Sequence, residues 1–245
     1  MRILTIGDVH GRSDWKDIVK HNEANKVVFL GDYLDSFDIQ PIRQYENLIE
    51  IIEFAKQNPV SVELLLGNHD IQYYLHQDMI SQVRCSGYNP AMHFDFYNLF
   101  KSNKSLFKIA YQYKNYLFTH AGLHRGWYNY RFREFHKESE ILSKSLNREL
   151  ENENPVLWDC GFKRGGSKKV GGPLWADFIE TYKKPLQGYH QIVGHTRMDE
   201  IKTKRIGVDT SVTYIDVQDL NEYKNSGYIL EFEETWQTKI MSENL

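Results

Sequence analysis

The sequence predicts an α/β fold: a parallel sheet at the N-terminal end and a second sheet toward the C-terminus. Three observations predict it. Five short runs rich in β-branched and aliphatic residues each lead straight into a segment carrying Gly with Asp, Asn or His. Segments whose apolar residues follow the helical period separate the first three runs, which is the pattern of βαβ units. From about residue 189 onward the runs are short and alternating, as in antiparallel strands.

Arg2-Ile3-Leu4-Thr5-Ile6 reads as a buried strand and opens into Gly7-Asp8-Val9-His10-Gly11. Ser13 or Asp14 can cap a short helix carrying Trp15, Ile18 and Val19 on one face. The second strand, 27–30, opens into Gly31-Asp32-Tyr33-Leu34-Asp35. Pro41 suits the first turn of a longer helix whose Ile42, Tyr45, Leu48, Ile49, Ile52 and Ala55 share one stripe. Pro59 lies just beyond it, and the third strand, 60–66, opens into Gly67-Asn68-His69-Asp70. Residues 70–110 read as mostly helical and aromatic, with a turn near Ser86–Pro90.

Residues 109–119 read as a hairpin turning at Lys114-Asn115 and ending in His120-Ala121-Gly122. From Trp127 to Asn154 one or two amphipathic helices are expected, and 155–176 reads as irregular. The stretch 127–185 is expected to be an insertion over one rim of the site. In 189–240, Gln191-Ile192-Val193 opens into Gly194-His195-Thr196-Arg197. Arg205–Asp209, Val212–Ile215 and Tyr228–Phe232 are expected to be antiparallel strands of the second sheet. No repeat or linker interrupts the chain, so residues 1–245 are expected to form one domain.

A net charge of −3 gives no global pull toward nucleic acid or anionic membrane, although a local basic patch remains compatible with it. No apolar run approaches the ~20 residues of a spanning helix. The N-terminus enters a strand with no basic-then-apolar signal segment, so a cytoplasmic location is expected. Two cysteines, Cys85 and Cys160, make no disulfide framework and suit a reducing compartment.

Sites in open α/β sheets form beyond the carboxyl ends of the strands. Here five strand ends deliver six oxygen or imidazole donors: Asp8, His10, Asp32, Asn68, His120 and His195. Glycine at these turns lets backbone approach closely. With no cysteine in the set, the expected ions are borderline or hard divalent cations: manganese first, with iron or zinc as the other fits.

These five segments, in this order, resemble the motifs of calcineurin-like metallophosphoesterases, nearest the branch of bacterial and phage serine/threonine-type phosphatases and diadenosine tetraphosphatases. The resemblance spans residues 7 to about 197. It implies a two-sheet β-sandwich flanked by helices (α/β/β/α) and two divalent metal ions. Asp8 and His10 would hold the first ion, Asp32 would bridge, and Asn68, His120 and His195 would complete the second. Many relatives carry a further histidine where this chain has Arg197. Two dications about 3.5–4 Å apart clamp a phosphate and acidify a bridging water; that hydroxide, or a terminal one, would attack phosphorus in line. His69, beside Asn68, would protonate the leaving oxygen, with Asp35 orienting it, a role worth ~10²–10⁴-fold.

The protein-phosphatase branch has arginines where this chain has Ser36 and Leu66, so its usual phosphate clamp is missing. Arg197, Arg125 or the basic loop 163–169 are the available substitutes. That loop reads first as a solvated loop, and it lacks the strand and helix of a P-loop. Trp158 and Trp175 read as packing residues, and the remaining histidines as ordinary ones, with His124 the one to check. The expected function is a metal-dependent phosphatase acting on a phosphomonoester, either a phosphoprotein or a small molecule. The alternative is hydrolysis of a dinucleoside polyphosphate or a nucleic-acid phosphodiester. A non-catalytic scaffold is disfavoured because every ligand and the candidate acid are present.

Overall fold

The computed structural model describes residues 1–137, 139–217 and 226–232. Strands β1 (Arg2–Ile6), β2 (Lys26–Phe29), β3 (Val62–Leu65) and β4 (Phe107–Lys108) pair in parallel, in that order. Helices α1 (Trp15–His21) and α2 (Pro41–Gln57) make the first two crossovers. Their Trp15, Leu48, Ile51 and Ile52 pack with Leu4, Ile6, Phe29 and Leu64 of the sheet. The next residues along the same strands, Ile3, Val28 and Leu65, face the other way, into a core shared with Phe118, Ile192 and Ile215. Burial on both faces explains why these runs are apolar almost without alternation.

The second sheet runs β5 (Ala110–Tyr113), β6 (Tyr116–Thr119), β7 (His190–Val193), β9 (Ser211–Tyr214), β8 (Lys202–Arg205). The predicted hairpin is β5–β6, turning at Lys114-Asn115. β7 is not antiparallel, as expected, but parallel to both β6 and β9. The chain of about seventy residues between β6 and β7 is long enough for a crossover, as parallel pairing requires. The expected strand Tyr228–Phe232 exists as β10 (Gly227–Glu231), yet it is the edge of the first sheet, antiparallel to β1. Its Tyr228 and Leu230, together with Phe232, pack onto the core between the sheets. An alternating pattern fits the edge of either sheet, so the pattern alone could not choose. The C-terminal stretch proposed as 189–240 also extends outside the described residues.

Helices α3 (Asn68–Tyr74), α4 (Ile80–Val83) and α5 (His93–Ser102) lie between β3 and β4. Short turns, α6 (Arg125–Trp127) and a π-helical turn over Tyr128–Phe132, precede α7 (Leu142–Glu151) and α8 (Phe178–Lys183). The stretch 127–185 does more than sit on a rim. Trp127, Phe132, Leu146, Leu157, Trp158 and Leu174 are buried in the same core as Leu4 and Phe29. Phe178 of α8 packs against Val193 and Tyr214 on the outer face of the second sheet. The layers are therefore helix, sheet, sheet, helix, the sandwich expected. No helix among the described residues is long and apolar enough to cross a membrane.

Candidate metal centre

The motif-bearing ends of β1, β2, β3, β6 and β7 meet at one edge of the sandwich, tied tip to tip by backbone hydrogen bonds. The amides of Val9 and His10 donate to the Asp32 carbonyl at 3.1 and 2.7 Å, and the Gly194 amide donates to the His120 carbonyl at 2.8 Å. Glycine is needed where these tips touch. A Cβ on Gly194 would lie 2.2 Å from Asp8 Oδ1, and one on Gly67 would lie 2.0 Å from Asp32 Oδ1. His10, Asp32, Asp35 and His195 have φ of 44°, 51°, 63° and 65°. Left-handed backbone at non-glycine residues costs roughly 1–2 kcal/mol each, and its concentration here marks the site.

Two donor groups share one carboxylate. Donor atoms of Asp8, His10 and Asp32 lie within 4.8 Å of one another, and so do those of Asp32, His120 and His195. His120 Nδ1 is committed to the Leu30 carbonyl at 2.9 Å, and His10 Nδ1 to the Leu34 carbonyl at 2.7 Å. Such backbone partners fix each ring and aim Nε2 inward. Around His120 Nε2 converge Asn68 Oδ1 at 3.0 Å, His195 Nδ1 at 3.1 Å and Asp32 Oδ2 at 3.3 Å. One imidazole N–H can satisfy only one of these lone pairs. A cation among them resolves the crowding, and His195 Nε2, buried, has no hydrogen-bond partner among the described residues. The residues present therefore fit divalent ions.

The electrostatics agree. Asp8 and Asp32 are almost wholly buried. Burial, with Asp216 and Asp32 nearby, pushes the Asp8 carboxyl well up. Burial acts the same way on Asp32, but His120, His69 and His10 outweigh it and hold this carboxyl well below the usual range. Burial and the neighbouring His120 hold His195 neutral, which suits a ligand. Burial lowers His120, yet Asp32 and Asp8 outweigh it and push the ring up to about 9. Without metal, His120 is thus protonated at neutral pH, and binding an ion must expel that proton. Metal affinity is expected to rise by up to about tenfold per pH unit between pH 6.5 and 9 and then to level off. Isothermal titration of the metal-free protein in buffers of differing ionisation enthalpy checks this through the proton released; a pH-independent affinity would contradict it.

His69 follows Asn68 at the start of α3. Its Nδ1 lies 3.0 Å from Asp35 Oδ2, and its ring sits edge-on to His10 with centroids 5.2 Å apart. Burial opposes a charge on His69, but Asp32 and Asp35 outweigh it and raise the ring well above the usual range. Asp35 is itself held by the Tyr73 hydroxyl at 2.7 Å and by the Gln72 amide.

The calcineurin-like phosphoesterase family matches residues 1–197. The chain belongs to that family. It is therefore a hydrolase of phosphoric esters, in a family that depends on metal ions. Two solved structures share the fold. One is a cold-active protein tyrosine phosphatase, TM-score 0.53 and 17% identity, over 88% of this chain and 69% of that one. The other is a cold-active protein-tyrosine phosphatase of a psychrophilic Shewanella species, TM-score 0.50 and 17% identity, over 88% and 70%. No curated protein matches the chain.

Around the centre of this phosphoesterase the expected cationic residues separate. Arg197 lines a cavity of about 210 Å³ with His10, Arg12, Asp35 and Ser36, beside the donor groups. Arg125 does not: it lines a separate cavity of about 980 Å³ with His124, Lys168, Lys169 and Lys184, none of them a candidate ligand. In the basic loop, Arg164 donates to Thr196 Oγ1 at 2.5 Å and pairs with Asp177 at 3.0 Å, next to His195. Trp158 is core, while the Trp175 ring lies 5.8 Å from that of His195.

Three residues were missed. Arg12 stands directly after Gly11, a position that could have flagged it, and its guanidinium holds Asp38 at 2.9 and 3.1 Å. Asp216 is buried near Asp8, and burial and Asp32 push it up to about 6. Asp70, fully buried, accepts the amides of Asp32, Gly67 and Tyr33 at 2.7, 2.8 and 2.8 Å, fixing two motif turns at once. Asp70→Asn turns an amide nitrogen toward one or two of these donors. It is expected to lower stability by about 2–4 kcal/mol, read by chemical denaturation, and to weaken metal binding in the same variant.

Proposed function

We propose that this phosphoesterase hydrolyses phosphomonoesters with two divalent metal ions, manganese first among them. Asp8, His10 and Asp32 would hold one ion; Asn68, His120 and His195 would hold the other, with Asp32 shared. The observation that carries this reading is the membership of Asp32 in both donor groups. When bound, such a pair supplies Lewis-acid polarisation of the phosphoryl oxygens and acidifies water.

The chain's own residues do the rest. Asp8 and Asp32 bring two negative charges, so a site holding two dications stays net positive and draws an anionic ester. The carbonyls of Leu30 and Leu34 keep His120 and His10 aimed inward. Arg197, with Arg12 in the same cavity, would grip the non-bridging phosphate oxygens in place of the branch's arginine clamp. His69, its Nδ1 on Asp35, would deliver the Nε2 proton to the leaving oxygen. Chelation followed by return of single metals, assayed on a monoester, a diester, a phosphopeptide and a dinucleoside tetraphosphate, tests the proposal. Recovery with manganese on monoesters supports it.

A second reading has one observation behind it. The cavity of Arg125, Lys169 and Lys184 suits a second phosphate group, as a dinucleoside polyphosphate or a nucleic-acid phosphodiester would bring. Turnover of only the diester or tetraphosphate in that panel would replace the monoester assignment with this one.

A further inference from the structure

Among the described residues, one cluster of ligating side chains lies outside both donor groups. Asp35, His69 and Cys85 place a carboxylate oxygen, Nδ1 and Sγ within 4.8 Å of one another. His69 Nδ1 is 3.0 Å from Asp35 Oδ2 and 3.6 Å from Cys85 Sγ. A tetrahedral zinc ion, with Zn–S of about 2.3 Å and Zn–N of about 2.0 Å, holds N and S about 3.5 Å apart and N and O about 3.3 Å apart. The two distances from His69 Nδ1 stand close to that geometry, with a few tenths of an ångström of opening needed toward Asp35, and the Asp35 oxygen and Cys85 Sγ lie within 4.8 Å of each other.

The cluster is built rather than incidental. Gln72, wholly buried, donates its amide to Asp35 Oδ2 and accepts the Cys85 backbone N–H at 3.1 Å, so one side chain spans both. The Tyr73 hydroxyl fixes the other Asp35 oxygen at 2.7 Å. Gly87, with φ of 82°, brings the Cys85 segment so near that a Cβ there would lie 2.8 Å from Asp35 Cβ. Hydrogen-bonded ligands of this kind are what a metal site uses around its first ring of contacts. Cys85 also lines a cavity of about 360 Å³ with Arg164, Trp175 and Cys160, the side from which a cation would reach the sulfur.

We propose that Asp35, His69 and Cys85 form a third, inhibitory metal site selective for thiophilic divalent cations such as zinc. Thiolate with imidazole selects zinc, cobalt or cadmium, whereas the oxygen and nitrogen donors of the neighbouring centre suit manganese. The cation takes the His69 Nδ1 lone pair and the Cys85 sulfur, and the thiol proton leaves to solvent. With Nδ1 occupied, the ring cannot also hold a proton there, so it no longer cycles through imidazolium. The fourth position stays open to water. The site itself rests on geometry alone; only its inhibitory effect rests on the proposed role of His69.

Cobalt titration of the metal-free, reduced protein tests this, because the candidate dinuclear centre contains no sulfur. A thiolate-to-cobalt charge-transfer band is expected in wild type and in C160S, appearing beyond the second equivalent, and is expected to vanish in C85S. In manganese-loaded enzyme, one further equivalent of zinc is expected to reduce turnover of alkyl phosphates at least tenfold in wild type, and less than twofold in C85S relative to its own zinc-free rate. C85A, with circular dichroism to confirm its fold, repeats the test should C85S unfold. Saturation at two cobalt ions with no band even in excess cobalt, or a band that survives C85S and C85A, overturns this site and leaves the dinuclear reading intact. A band at the first equivalent with no further cobalt bound would instead keep this site and remove the dinuclear one.

Discussion

Asp32→Asn is expected to abolish both metal occupancy and turnover, with kcat/KM falling by at least on the order of 10³, or about 4 kcal/mol of transition-state stabilisation. Asp32 is the one side chain common to both donor groups. Its Oδ2 lies 3.3 Å from His120 Nε2 and 3.8 Å from His10 Nε2, while Oδ1 accepts the His69 amide at 2.9 Å. An asparagine can keep that last contact, so the local turn survives. It cannot supply negative charge to two cations, and its nitrogen would face the Nε2–H of protonated His120, which needs an acceptor. The fold should persist, because Asp70 still holds the surrounding backbone. Elemental analysis and steady-state kinetics on the same sample check the result. A fully occupied, active variant would remove Asp32 from the bridging role.

His69→Ala should separate metal binding from proton transfer. His69 belongs to neither of the two donor groups, so metal content should match wild type. Turnover of alkyl phosphates should fall by ~10²–10⁴-fold, the usual worth of a positioned general acid. Aryl esters with acidic leaving groups need no proton and should lose far less. Asp35→Asn should show the same preference for good leaving groups with a smaller loss. The His69 backbone keeps its place through its amide on Asp32, but the ring's carboxylate partner is gone. Equal losses on alkyl and aryl esters would count against the acid role.

The fold was readable because its determinants are local. Each strand is an apolar run, each tip follows its strand directly, and parallel pairing then sends Asp8, Asp32 and Asn68 to one edge. The second sheet was harder. The segment of β10 alternates as an edge strand of either sheet would, and only the inter-sheet core decides that it caps β1. What escaped the sequence near the centre depends on contacts between distant segments. Gln72 and Cys85 are thirteen residues apart and meet only because Gly87 allows a close approach. Asp70 stands in plain view within the third motif, but its three amide partners lie mostly on the second. Arginines carry no local mark of direction, so nothing in the chain distinguished Arg197, beside His10, from Arg125 in another cavity.

Counting metal ions against activity tests the central claim most directly. Metal-free protein titrated with manganese should bind two ions per chain, with monoester hydrolysis absent at zero and complete only when the second site fills. Full activity with a single ion, or in excess chelator, would contradict it.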